Sequence, residues 1–144
     1  MRDIRYIVIH CADTKPEMKV DAARIKRWHL KRGWSDIGYH FVIKRNGVIE
    51  QGRDRDNDGD VLEEVGAHVR GFNSNSIAIC WIGGYDGIDN RTDEQNTSME
   101  TLVKLLHEVY PKAVILGHRD FPNVAKSCPS FDVSCWLEEI KLKQ

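Results

Sequence analysis

The apolar positions of the chain fall into short patterned runs separated by polar or glycine-bearing breaks. In IRYIVIHCA (4–12) apolar residues occupy both alternation sets, which predicts a strand buried on both faces. DAARIKRWHLKRGW (21–34) places Ala22, Ile25, Trp28 and His29 on one face at helical spacing, with Gly33 at the C-terminal stop. YHFVIKRNGVIEQG (39–52) predicts a hairpin turning through Asn46-Gly47 as a two-residue turn. The charged stretch RDRDNDGDVLEE (53–64) reads as a loop, and SIAICWIGG (76–84) as a second buried strand ending in glycines. After a polar connection (85–95), Thr92 or Asp93 is placed to cap a helix running to about Val109. KAVILGH (112–118) reads as a short strand and FDVSCWLEEIKLK (131–143) as a final amphipathic helix.

Strands alternating with helices, with one hairpin among them, predict an α/β fold: a mixed central β-sheet flanked by helices on both faces. There is no internal repeat, low-complexity tract or linker, so one domain is expected to span 1–144, a length that supports a single core. The formal net charge of −1 gives no general attraction to nucleic acid or anionic membranes, and no apolar run reaches the length of a membrane span. The start, MRDIRYIVIH, is too short and too charged for a secretory signal. The protein is therefore expected to be made in a cytoplasm and to reach any extracellular target by another route.

The four cysteines, Cys11, Cys80, Cys128 and Cys135, form no CxxC pair and are expected to be reduced. Cys80 sits in a buried strand and reads as core; Cys135 reads as a structural residue on a helix face. Cys128 differs, because KSCPSFD (126–132) puts Lys126 two residues before it and Pro129 directly after it.

Two buried strands end on histidine: IVIH on His10 and VILGH on His118. Sites in open α/β sheets gather at the C-terminal edge of the strands. If these strands are parallel neighbours, both imidazoles arrive at one edge, and Cys128 follows His118 by ten residues. Two imidazoles and a thiolate make a three-ligand zinc site with the fourth tetrahedral position open. The spacing alone is no zinc signature, and two core histidines with a buried thiol is the competing reading. Lys126 is placed to favour the thiolate of Cys128, or to stabilise an oxyanion beside a metal-bound carbonyl. Tyr39, at the start of the hairpin, could donate to an oxyanion or orient a water. His40 faces away from Tyr39 and reads as structural, as do His29 and His107 on helices; His68, in the glycine-flanked GAHVRGFN, could contact substrate.

GWSDIGYHFVIKRNGVIEQGR (33–53), GAHVRGFNSNSIAIC (66–80) and VAKSCPSFD (124–132) together resemble the zinc-dependent N-acetylmuramoyl-L-alanine amidases, the family of the T-seven-type phage lysozymes, related to the peptidoglycan recognition proteins. The resemblance covers nearly the whole chain. It implies one Zn2+ held by His10, His118 and Cys128, active-site roles for Tyr39 and Lys126, and a groove position for His68. It also implies hydrolysis of the amide between N-acetylmuramic acid and L-alanine of peptidoglycan. As water attacks, zinc, Lys126 and Tyr39 are expected to stabilise the carbonyl oxygen. No HExxH glutamate is present to act as base, and Tyr39 is the candidate proton shuttle.

A phage or prophage endolysin without a signal peptide is expected to cross the inner membrane through a separate pore protein. The lack of a second wall-binding domain suggests a thin, Gram-negative-type wall. Three rivals stand beside this reading. One is a non-catalytic peptidoglycan-binding module, though such modules tend to lack the metal cysteine that Cys128 supplies. Another is a partner that restrains a phage-type RNA polymerase, for which few residues precede the first strand. The third is a Cys128–His118 thiol hydrolase, which a chelator would not stop. The chain departs from the family in RDRDNDGDVLEEV: Asp54, Asp56, Asp58 and Gly59 follow the start of a Ca2+ loop, but Val65 holds the twelfth position. The stretch 54–65 is accordingly read as a solvated acidic loop at the groove rim rather than a Ca2+ site.

Overall fold

The structure, a computed structural model, describes residues 2–144. Five strands, β1 (Tyr6–Cys11), β2 (Phe41–Ile43), β3 (Ile49–Gln51), β4 (Ser76–Trp81) and β5 (Val114–Gly117), form one sheet in the order β3-β2-β4-β1-β5. Four run parallel, and β3 is antiparallel to β2 at one edge, so the sheet is mixed as expected. The two longest apolar runs, β1 and β4, lie at its centre, where burial on both faces suits their lack of polar alternation.

Alternation along β1 sorts its side chains between two cores. Ile7, Ile9 and Cys11 join Ile77, Ile79 and Trp81 against Met99, Leu102, Val103 and Leu106 of α2 (Asp93–Val109) and Val133, Trp136 and Leu137 of α3 (Val133–Glu139). On the other face Val42 and Ile82 meet Ala22 and Ile25 of α1 (Ala22–Lys31), while Val8 packs with Val69 and Phe121. Each large apolar side chain buried this way contributes roughly 1.5–3 kcal/mol. His10, two residues beyond Val8, shares the second face; Cys11 belongs to the first.

Caps set the helix limits. The Asp21 carboxylate accepts the Arg24 N–H (2.8 Å), and Glu50 from β3 accepts the Ala22 N–H (2.9 Å). At the other end the N–H groups of Gly33 and Trp34 fold back onto the carbonyls of Leu30 and His29, closing α1 at the Gly33 stop expected. Thr92 and Gln95 form a reciprocal capping box that starts α2, worth about 1 kcal/mol. Asp132 caps α3 through the Cys135 N–H (3.1 Å), so this helix begins later and ends sooner than the 131–143 expected.

Two expectations need correction. The hairpin does not turn through two residues. Lys44 N–H bonds Val48 C=O (2.9 Å) and Gly47 N–H bonds Lys44 C=O (2.8 Å), leaving a three-residue loop in which only Gly47 has positive φ (88°). Cys135 lies on α3 but is exposed, because the inward face is filled by Val133, Trp136 and Leu137. Among the described residues, no helix is long and apolar enough to cross a membrane.

Candidate active site

Unequal strand length opens the site. β5 stops at Gly117, opposite Ile9, while β1 continues to Cys11. The Cys11 N–H therefore has no strand partner on that side and donates instead to Cys128 Sγ (3.3 Å). His118 follows Gly117 directly and turns off the sheet in a short 3-10 helix, His118–Asp120. The two strand-end histidines meet as parallel neighbours should, with ring centroids 4.6 Å apart.

The loop carrying Cys128 is held down on three sides. The Trp81 indole N–H donates to Pro129 C=O (3.1 Å), the Ser130 hydroxyl donates to Gly84 C=O (3.1 Å), and Arg119 N–H donates to Cys128 C=O (2.9 Å). Pro129 lies on Gly117: a Cβ there would stand 2.7 Å from Pro129 Cδ, so this contact needs glycine. The result is a cluster in which one donor atom each from His10, His118 and Cys128 lies within 4.8 Å of the others. His10 is 1% exposed, whereas His118 and Cys128 are half-buried and open onto a cleft of about 820 Å3.

The donors suit a single divalent ion. Tetrahedral zinc with typical bond lengths sets its N and S ligands about 3.6 Å apart. His10 Nδ1 and Cys128 Sγ stand 3.9 Å apart without one. Burial holds His10 well below the usual imidazole range, helped by His68, His118 and Lys126; His118 is lowered by burial and by Lys126. Both rings are thus neutral at neutral pH, with lone pairs to give. Interaction between the Cys11 and Cys128 thiols lowers Cys11 to about 7 and raises Cys128, which burial raises further. The Lys126 charge bears on the two imidazoles. A bound cation deprotonates a coordinating thiol outright.

Tyr39 and Lys126 both line the cleft. The Tyr39 ring packs 5.1 Å from His10 and 5.6 Å from His29, and burial raises its phenol well above the ordinary value. At neutral pH it is a hydrogen-bond donor, not a base. His68 also lines the cleft, but both its ring nitrogens are taken by protein groups: Nδ1 faces His10 Nε2 and Nε2 faces Ser76 Oγ, each at 2.9 Å. His40 is fully buried, with Nδ1 accepting the Ala78 N–H (2.9 Å) and Nε2 donating to Glu64 C=O (2.7 Å), a structural role as expected. His29 Nδ1 accepts the Gly38 N–H (2.9 Å).

Sequence reasoning missed several cleft residues. Trp28, Arg32 and Trp34 form one wall, with the Arg32 guanidinium 5.6 Å from the Trp34 ring centroid. Lys15 and Tyr85 stand on the rim, and Asp13 is the cleft's one carboxylate among the described residues. Only the spatial neighbourhood distinguishes these from ordinary surface residues. The acidic loop does bring oxygens of Asp54, Asp56 and Asp58 within 4.8 Å of one another. None of the three lines the cleft, and Asp54 is occupied by the N–H groups of Asp58 (3.3 Å) and Gly59 (2.8 Å).

Comparison with known proteins agrees with this geometry. The sequence pattern of the N-acetylmuramoyl-L-alanine amidase family matches residues 1–131. The endolysin of Enterobacteria phage K11 is 41% identical over 134 residues, covering 90% of this chain and 83% of its own length. The endolysin of Escherichia phage T7 is 40% identical over 140 residues, covering 94% of this chain and 87% of its own. The solved endolysin amidase LysCS from Clostridium intestinale URNW superposes with a TM-score of 0.80, covering 99% of this chain and 86% of its own, at 26% identity. A match over nine-tenths of the chain, falling on the strands, loop and cleft just described, leaves one conclusion: the chain belongs to the N-acetylmuramoyl-L-alanine amidase family.

Proposed function

We propose that the protein is an endolysin that uses zinc, held by His10, His118 and Cys128, to hydrolyse the amide between N-acetylmuramic acid and L-alanine in peptidoglycan. The observation that carries this reading is the convergence of two neutral imidazoles and a thiol at the open C-terminal edge of the sheet, facing a cleft. When bound, zinc supplies an electrophile that polarises the scissile carbonyl and acidifies a water.

The chain's own residues do the rest. His10 and His118, kept neutral, offer lone pairs, and the half-buried Cys128 supplies the one negative charge of the ligand set. Negative charge gathers on the carbonyl oxygen as the amide is attacked. The Lys126 ammonium, whose field already reaches both imidazoles, stabilises it, and the Tyr39 phenol donates a hydrogen bond. The raised phenol pKa favours Tyr39 as donor over Tyr39 as base. The aromatic wall of Trp28 and Trp34 supplies apolar surface for substrate.

Metal analysis of the purified protein, paired with mass spectrometry of digested peptidoglycan, tests the proposal. One zinc per chain is expected, with products carrying a free lactyl carboxylate on the sugar and a free L-alanine amine on the peptide. Chelation should stop the reaction and zinc should restore it. A metal-free protein that remains fully lytic, or cleavage of a glycosidic bond, would end this reading; chelator-resistant amide cleavage would instead support the Cys128–His118 thiol hydrolase.

A further inference from the structure

We infer that His68 is a positioning residue: a directed chain of hydrogen bonds from the Phe72 carbonyl through Ser76 and His68 fixes the tautomer of His10, so that the His10 lone pair faces the metal cluster. This inference rests on the zinc reading above.

The direction follows from counting protons. The Phe72 carbonyl can only accept, and the Ser76 hydroxyl lies 2.8 Å from it. Ser76 has one proton, which goes to that carbonyl. Its oxygen then faces His68 Nε2 at 2.9 Å as an acceptor, so Nε2 carries a hydrogen. A neutral imidazole has one such hydrogen, which leaves His68 Nδ1 as a lone pair, 2.9 Å from His10 Nε2. His10 must donate there, and its own lone pair is left on Nδ1. That nitrogen is the one 3.9 Å from Cys128 Sγ.

The reverse direction makes one bond fewer. If Ser76 donated to His68 Nε2, the Phe72 carbonyl would lose this donor. His68 would carry its hydrogen on Nδ1, and the His10 hydrogen would stand on Nδ1, pointing at the cluster. That arrangement cannot ligate. The carbonyl at the far end of the chain thus selects the binding-competent ring.

The surroundings hold this chain in register. Asn73 Oδ1 accepts the backbone N–H groups of both His68 (2.8 Å) and Val69 (2.9 Å), which fixes the loop beneath the ring. Ser76 is fully buried as the first residue of β4, opposite Tyr6 of β1, so sheet register places its hydroxyl. Partners of metal-bound histidines are commonly carboxylates, carbonyls or water. A neutral imidazole in that place adds no charge. With one thiolate and two imidazoles around a divalent ion, the site keeps a net charge of +1 and with it the capacity to attract electrons from a carbonyl.

Two measurements on the intact protein test the inference. Nitrogen-resolved NMR of the metal-free wild type should show both His10 and His68 carrying hydrogen on Nε2; His10 with hydrogen on Nδ1 overturns the assignment. Zinc affinity, read by chelator competition, should weaken roughly 10- to 100-fold in His68→Phe, and in the same direction in Ser76→Ala. His68→Gln, whose amide oxygen can accept from His10, should recover part of the loss. Undiminished affinity in a folded His68→Phe overturns the inference; if that variant does not fold, Ser76→Ala and the NMR result decide. The amidase reading fails separately. A wild type that shows the expected tautomers and graded zinc affinities, yet leaves peptidoglycan intact, keeps the relay and loses the enzyme.

Discussion

Cys11 and Cys128, 117 residues apart, are joined by a hydrogen bond from the backbone of one to the sulfur of the other, 3.3 Å long. Its origin is topological, since β5 ends two residues short of β1 and leaves that N–H free. A backbone donor aimed at sulfur favours the thiolate, the form a metal needs. The donor belongs to the main chain, so it survives any change to the Cys11 side chain.

The two cysteines are therefore predicted to differ in kind. Cys128→Ala removes a ligand and should abolish stoichiometric zinc and wall hydrolysis. Cys11→Ala trims a buried side chain of the core against which Cys128 packs, costing on the order of 1 kcal/mol of stability, and should keep its zinc. Zinc content per chain after dialysis checks both; equal loss in the two variants would reject Cys128 as the distinctive ligand.

Tyr39 and Lys126 are predicted to act on the transition state rather than on the metal. Tyr39→Phe and Lys126→Ala should each retain one zinc and lose roughly two to three orders of magnitude in kcat. Initial rates on purified peptidoglycan, with metal content measured on the same samples, make the comparison. Wild-type rates in both variants would remove them from the chemistry.

Much of this was legible in the sequence, and the rest depended on contacts distant along the chain. Binary pattern located β1 and β4, and the cap candidates Thr92 and Asp93 located the start of α2. The His10–His118–Cys128 cluster needed more: His10 and His118 follow from strand-end reasoning only once β1 and β5 are known to be neighbours, which no local pattern states. The hairpin shows why local signals err. Asn46-Gly47 favours a two-residue turn, but Asn46 Oδ1 accepts the Val48 N–H (3.0 Å). Ser98 of α2 bonds Gly47 C=O, and Glu94 leaves Gly47 no room for a Cβ. Contact with a helix fifty residues on shapes the turn. His68 could be recognised as a site residue from its glycine-flanked loop, but its partners, Ser76 and His10, come from two different strands.

Gly117 is predicted to matter through Pro129. Gly117→Ala forces a methyl group to within 2.7 Å of a ring that bears on the Cys128 loop, and relief must come from that loop, because β5 is pinned to β1. Overpacking of this kind costs about 1–3 kcal/mol. The expected signature is weakened zinc binding larger than any effect of the exposed-surface variant Val114→Ala on the same strand. Chelator competition and thermal melts measure the two; unchanged affinity in Gly117→Ala would mean the loop position is not set by this contact.

Acid should destabilise the fold through His40 and His29, two histidines outside the His10–His118–Cys128 cluster. His40 is fully buried with both nitrogens bonded, and burial lowers it to about 4, while Glu64 C=O pulls the other way. The buried His29 is lowered to about 4 as well, first by burial. A folded pKa below the unfolded value of about 6.5 means that the unfolded chain takes up the proton first. Stability from His40 is therefore complete above about pH 6.5 and is lost as pH falls toward 4, by about 3 kcal/mol at the limit. His29 adds to the loss in the same direction. Urea unfolding at pH 7 and pH 4.5, in excess chelator so that metal release does not contribute, should show the drop. NMR titration should find the His40 ring still neutral at pH 5. A His40 that titrates near 6.5, with equal unfolding free energy at the two pH values, would show that its two hydrogen bonds do not hold the neutral form.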